Sequence, residues 1–337
     1  MKVDATDIGG LQNALNESAG TLAILWTTFV TFEMYFAITV GSVTHRDLFL
    51  ENPIRLPLLN VDLPLPGFFV VGPIVLVIIH FYILLQVFAL GLRVDFHNKL
   101  LHRQFRTDSS REYFRQRLNS FFILQMLAGP LEQQRGLIGA VLKLIAWLTL
   151  AVGPVVILIQ CQVTFLPIHN QPILWLQRLL ILIDLVAVWY FWAQMRGLSR
   201  STGPASMFAV ASACFASLCV VLFILCVATF PGEWVDDGLP NFRVLPAKWF
   251  PHHWTKGNWT SLHDLLFAGM VDEISGKPTS LFSNRLVVTR QSFVDPDKLS
   301  EIDVSLSFRG RDLRGAVLVG ADLRKADFTG AILDDAD

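Results

Sequence analysis

At 337 residues, with 53% hydrophobic and 16% charged side chains and a mean hydropathy of +0.49, the chain has too little polar surface for a water-soluble globule of its size. The net charge of −1 says little by itself, but its distribution does. Cys161, Cys214, Cys219 and Cys226 fall within or at the edge of apolar stretches with no C-x-x-C or His-rich spacing, which excludes a disulfide framework and a structural zinc site.

Residues 1–19 form a short acidic leader. Five apolar stretches follow, near 20–43, 66–93, 136–165, 173–195 and 204–230, each long enough to cross a hydrocarbon core of about 30 Å. The first lies behind an acidic leader and lacks a small-residue cleavage site, so it is expected to stay as an anchor rather than leave as a signal peptide. The Pro-rich stretch Thr44–Pro66 predicts an extended segment along the membrane surface. The loop 94–135, with Arg93 just before it, carries Lys99, Arg103, Arg106, Arg111, Arg115, Arg117 and Arg135. Ser109-Ser110-Arg111-Glu112 reads as a capping box opening an amphipathic helix toward Gln125. Phe114, Leu118, Phe121 and Phe122 are expected to face the bilayer, with Arg103, Arg106, Arg111, Arg115 and Arg117 on anionic lipid phosphates. Basic loops stay in the cytoplasm, which puts the N-terminus inside and, after five crossings, everything from about Pro231 outside. Residues 231–305 read as an irregular linker domain rich in Trp (Trp234, Trp249, Trp254, Trp259), with a helix near Ser261–Ile274 and a strand at Arg285–Thr289.

Ionisable groups inside a bilayer are costly. Glu33, His80 and Asp184 fall near the middle of the first, second and fourth spans and Lys143 in the inner part of the third. They predict one buried polar cluster, with Lys143 or Arg178 as the cationic partner. Such clusters serve as proton relays or ion sites, or simply hold helices together. No repeated transporter halves are visible. His252 and His253 are adjacent, which is poor geometry for one ion, and His263 brings no further ligand ladder, so no metal site is predicted. No nucleophile elbow, phosphate loop or dinucleotide fingerprint occurs, so neither a catalytic residue nor a cofactor is assigned.

From Arg309 onward the sequence repeats every five positions: Arg311-Asp312-Leu313-Arg314-Gly315, Ala316-Val317-Leu318-Val319-Gly320, and so on to Ala336-Asp337. An amphipathic helix is a poor alternative, because a five-residue period drifts around a 3.6-residue helix. The repeat needs coil stacked on coil, with Leu313, Leu318, Leu323, Phe328 and Leu333 in one inward column, Ala316, Ala321, Ala326 and Ala331 in a second, and the polar positions facing water. This segment, 306–337, resembles the pentapeptide-repeat family, and the resemblance implies a four-sided right-handed β-helix. Phe49-Leu50, Leu56 to Pro64, Phe68-Phe69, Pro73, His80-Phe81-Tyr82, Phe165 to His169, Arg178 and Asp184 are similar to bacterial multi-pass membrane proteins that end in such repeats. That resemblance implies a bacterial inner membrane. The pattern stops where another Leu or Phe is due, so a longer protein, or a cover over that edge, is expected.

The expected architecture is therefore an α-helical membrane bundle of about five spans followed by a repeat solenoid. The expected function is a membrane-anchored scaffold without catalysis, whose partners are the lipid bilayer and a protein bound on the repeat face; a homo-oligomer stays open. The alternative is an effector, channel or proton-coupled protein using Glu33, His80 and Asp184, and an enzyme acting on lipid or envelope precursors is least supported. Nucleic acid is not expected, because soluble pentapeptide-repeat proteins that mimic DNA are strongly acidic, whereas Arg309, Arg311, Arg314, Arg324 and Lys325 mix the charge here.

Overall fold

The computed structural model describes residues 5–56, 61–134, 136–198, 207–235, 262–267, 271–272, 278–294 and 303–337. Five of its helical stretches, Ile8–Gly41, Leu65–Gln104, Gly136–Ile168, Gln171–Arg196 and Met207–Val227, are long and apolar enough to cross a membrane. The chain divides into two units. Unit 1 comprises Met1–Phe36, Ile74–Leu158 and Leu180–Ala213, and unit 2 comprises Ala37–Pro73, Ile159–Leu179 and Cys214–Asp337.

Unit 1 holds most of α1 (Ala5–Gly41) and of α3 (Leu65–Gln104), together with α4 (Asp108–Arg115), α5 (Phe122–Ala128), α6 (Leu131–Gln134) and α7 (Gly136–Trp147). A π-helical turn, Leu148–Val152, joins α7 to α8 (Gly153–Phe165), and α9 spans Gln171–Leu198. Helix α1 begins inside the acidic leader, whose polar residues bind the basic loop: Gln12 donates to the Phe114 carbonyl at 3.1 Å, and the Asn119 amide donates to Asn16 at 2.8 Å. At about 1.5 Å per residue, the 40 residues of α3 extend about 60 Å, twice the thickness of a hydrocarbon core.

The single amphipathic helix expected from Ser109 to Gln125 is corrected to two short helices. The first starts at Asp108 with Thr107 as N-cap and no side-chain cap bond, and the chain turns between Gln116 and Phe121. Leu118 and Phe121 are buried, Phe122 lies edge-on to Trp26 with ring centres 4.8 Å apart, and Phe114 packs on Phe105. These side chains find aromatic partners within the protein, Trp26 on α1 for Phe121 and Phe122 and Phe105 for Phe114.

In unit 2, Thr44–Pro66 is not extended throughout. Thr44 caps α2 (His45–Leu50) through a reciprocal capping box with Asp47, which starts a helix before the Pro-rich stretch. Strands β1 (Ile54–Leu56) and β2 (Val61–Leu63) then pair antiparallel, Arg55 opposite Asp62. Pro73 lies inside α3, and having no N–H it cannot bond the carbonyl four residues back, that of Phe69. Gln177 of α9 fills the gap, its amide donating to the Phe69 oxygen at 3.0 Å. A freed carbonyl must find a partner where water is absent. Gln177→Leu is therefore expected to cost about 1 kcal/mol, and Pro73→Ala, which restores the helical bond, should remove most of that penalty. Unfolding of the two single variants and the double variant in detergent measures the coupling, and strictly additive effects would refute the assignment.

Helix α10 (Met207–Leu222) unwinds through a π turn, Phe223–Val227. The last described helix, α11, covers Leu262–Leu266, shorter than the expected helix to Ile274, since Val271 bridges Pro278 instead. Trp249, Trp254, Trp259, His252, His253 and Arg135 lie outside the described residues.

The repeat forms a parallel ladder. Ser307 bridges Asp327 and Asp312 bridges Ile332, residues twenty apart, so four pentapeptides complete one turn of chain. Val287 and Ser292 bridge Val317 and Asp322, carrying the ladder back into the stretch read as linker, where the expected strand Arg285–Thr289 is a single bridge. Each corner is a tight turn: Ala316 N–H donates to Leu313 O, Ala326 to Leu323 and Ala336 to Leu333. The third turn residue has positive φ throughout, at Gly310, Gly315, Gly320, Lys325, Gly330 and Asp335, the requirement of a type II turn. Glycine at four of these six corners explains the fifth position of the repeat.

Candidate functional site

The first coil of the ladder rests on α2. Phe49, fully buried, stacks on Phe308 at 4.4 Å and lies 5.3 Å from Phe293, and Phe308 stacks on Phe328 at 5.1 Å. The aromatic column of the repeat thus continues into the membrane-side loop, which covers one apolar end. Arg311 reaches back to the carbonyls of Phe49 and Leu48 and pairs with Glu51 at 3.6 Å, while the Val287 amide donates to His45 Nδ1 at 3.3 Å.

A second grip comes from the turn after α8. His169 lies between the Asn284 carbonyl, 2.6 Å from Nε2, and Asp312, 3.4 Å from Nδ1, and stacks on Phe230. Asp312, expected to face water, is instead half-buried, with a bidentate bond to Arg314. Burial pushes the Asp312 carboxyl up, but bonds from His169 and Arg314 outweigh it and hold the group well below the usual carboxylate range.

A further contact in unit 2, between α9 and the chain after α10, is an ion pair missed by the sequence reading. Arg178 and Glu233 are both buried, with side chains 1% and 0% exposed. Besides the bond from Nη1 to Glu233, Arg178 donates from Nε to the Ile224 carbonyl at 2.8 Å and from Nη2 to the Ala228 carbonyl at 3.0 Å, and lies 4.8 Å over Trp175. The π turn and the unwound chain after α10 supply those carbonyls. Gly232, just before the acid, has φ +72, and a Cβ there would collide with Arg314. Pro231-Gly232-Glu233 was the available signal.

Two groups of this seat respond to pH. The His45 imidazole accepts a backbone amide and so fits in its neutral form, and burial lowers its pKa. Below about pH 6.5 the unfolded chain binds a proton that the folded seat refuses, so stability falls as the pH drops. Asp312 adds a second loss beginning near pH 4, the ordinary carboxylate value of about 3.9, and continuing downward, because its folded pKa is depressed. Thermal unfolding of His45→Gln should show a flatter profile between about pH 7 and 5; an unchanged profile would contradict this linkage.

In unit 1 the structure brings together three of the five polar residues expected to cluster. His80 and Asp184 are buried and joined Nδ1 to Oδ1 at 2.5 Å. His80 Nε2 lies 3.2 Å from the Leu150 carbonyl in the π turn, and Phe29 stacks on the imidazole at 5.5 Å. Glu33, 5% exposed, lies within electrostatic reach of Asp184. A Cβ on Gly153 would sit 2.9 Å from the Leu148 carbonyl and 3.3 Å from Glu33 Oε1, so glycine is what this turn accommodates. The cationic partners are corrected. Lys143 is exposed on α7, with no ion pair to the three, and Arg178 belongs to unit 2, where the chain after α10 engages it. Among the described residues no group of three His, Cys, Asp or Glu is placed to hold a metal ion.

Of the proposed lipid contacts, Arg103, Arg106 and Arg117 are exposed. Arg111 instead donates to the Phe105 and Arg106 carbonyls and to Asp108, and Arg115 lies 4.0 Å from Glu112, so these two are engaged locally. Of the repeat core, Leu313 and Ala316 are buried and Leu318, Leu323, Phe328, Ala321, Ala326 and Ala331 half-buried. Leu333 is 43% exposed.

Residues 307–337 match the family model described as pentapeptide repeats (8 copies). No curated protein and no solved structure matches the chain.

Proposed function

We propose that the chain is a membrane-anchored scaffold that presents a pentapeptide-repeat solenoid to a protein partner and performs no catalysis. One observation carries this reading: unit 2 gathers the loop after the first span, the turn after the third and everything described after the fifth around one ladder. Two separate segments grip the repeat, at Phe49 and His169, and a buried ion pair between Arg178 and Glu233 ties the chain after the fifth span into the same unit, none of which a loose tail would need. The positive-φ corners every fifth residue and the twenty-residue bridges support the four-sided right-handed β-helix that the family resemblance implies.

The three segments follow the first, third and fifth spans, which supports five alternating crossings. The basic stretch 94–135 belongs to unit 1, and with the positive-inside rule this supports a cytoplasmic N-terminus and an extracytoplasmic repeat, in a bacterial inner membrane. The solvent-exposed positions that the ladder offers to a partner include Arg309, Val319, Arg324 and Lys325.

Crosslinking in native membranes tests the proposal, comparing the full chain with an Arg309→Ala, Arg324→Ala, Lys325→Ala variant that leaves the seat untouched. The expected result is a discrete adduct lost in the variant, and a topology reporter fused after Asp337 active only outside. The same adducts from both chains, or a reporter active only inside, would overturn it.

A further inference from the structure

We propose that Glu33, His80 and Asp184 form a proton-exchange site within unit 1, whose ligand is the proton itself. The argument begins with hydrogen-bond stoichiometry. His80 faces an acceptor at each ring nitrogen: a carboxylate oxygen at Nδ1 and the Leu150 carbonyl at Nε2. A carbonyl cannot donate, so Nε2 carries a hydrogen. The 2.5 Å contact between Nδ1 and Asp184 Oδ1 needs one more, which belongs to the pair rather than to either residue. Moving it from Oδ1 to Nδ1 breaks the carboxylic O–H bond, leaves that electron pair on Asp184 and forms the N–H bond with the imidazole lone pair. The pair changes from neutral acid and base to carboxylate and imidazolium at constant net charge.

Residues that only tie helices together satisfy one another. Here two oxygens are left over: Asp184 Oδ2 and Glu33 Oε1 are both buried without a hydrogen-bond partner, in side chains 1% and 5% exposed. An orphaned buried acceptor is costly, more so where water is absent, and a proton arriving from water is the smallest species that relieves it. Uptake forms one O–H bond on a carboxyl of the site, and release returns that proton to water and leaves the electron pair on the carboxylate.

The groups facing this site from each element packed against it are Glu33 on α1, His80 on α3 and Asp184 on α9, while the π turn contributes only the Leu150 carbonyl. With Lys143 exposed and Arg178 bound in unit 2, no lysine or arginine is paired with the site among the described residues. Each proton gained or lost therefore changes its charge by one. π turns recur at functional sites, and this one aims the carbonyl that fixes the His80 ring, which the Phe29 ring covers on one face.

Infrared difference spectroscopy of the full chain in lipid nanodiscs, between acid and alkaline buffer, reads the exchange directly. The expected spectrum contains a reversible carboxylic-acid carbonyl band from a buried group. The band should be lost in Glu33→Gln, lost or shifted in Asp184→Asn, and kept in Lys143→Gln. A wild-type spectrum without such a band, or one unchanged by both carboxyl variants, would overturn the proposal. Because those variants could fold poorly, nitrogen-15 histidine resonances of the wild-type chain provide a second reading. The His80 ring should have Nε2 bearing hydrogen and Nδ1 in a strong shared bond, and a ring nitrogen with a free lone pair would equally refute the site.

Discussion

Glu233→Ala is expected to destabilise unit 2 by about 3–5 kcal/mol, because it leaves the Arg178 guanidinium buried with no countercharge. The pair is enclosed, and the π turn of α10 has unwound to offer Arg178 two carbonyls. Those carbonyls solvate the cation but do not neutralise it. Replacing both partners by methionine removes the unpaired charge as well, so the double variant should cost far less than the sum of the single ones. Trp175 and Trp234 stack 5.9 Å apart beside the pair, so their fluorescence reports its unfolding in denaturant. A loss below about 1 kcal/mol, within the range of ordinary surface substitutions, would show that the pair is solvated and the seat looser than described.

Phe49→Ala is expected to have a comparable effect, roughly 3–5 kcal/mol for a buried phenylalanine, and a more local one. Phe49 is the side chain through which α2 meets the aromatic column at Phe308 and Phe328. Its removal opens a cavity under the first coil, and the ladder must either close it or detach. Hydrogen exchange separates the outcomes: amides of Phe308, Leu313 and Ile332, which bond across coils, should lose protection, while those of α9 keep theirs. Full protection of the ladder would mean that the coils stand without α2, and the scaffold reading would lose its rigid seat.

The spans and the repeat were legible because both are long, regular patterns. Twenty apolar residues or a run of pentapeptides say the same thing many times over. What a pattern omits is the partner. Phe121 and Phe122 look alike whether they meet lipid or Trp26, so the basic loop was read as one membrane-facing helix. Arg178 was offered, with Lys143, as a cationic partner of the His80 group, since no pattern tells that α10 unwinds and returns Glu233 to it. Asp312 stands in the repeat as Asp322 and Asp327 do, yet it alone meets His169, 143 positions away. Gln177 had a local clue, because Pro73 announces a carbonyl in need of a donor, but the donor's identity depends on how α3 and α9 pack.

The twenty-residue spacing of the bridges also constrains how such a tail can change in length. Adding or removing twenty residues beyond Asp312 shifts the stack by one storey and returns every side to its former bearing, so Phe49, His45 and His169 meet the same neighbours. On the four-sided coil proposed above, a change of five would turn everything downstream by one side, and made before Asp312 it would carry that carboxylate away from His169. Evolution and engineering alike are thereby confined to whole storeys near the seat, and gain freedom with distance from it.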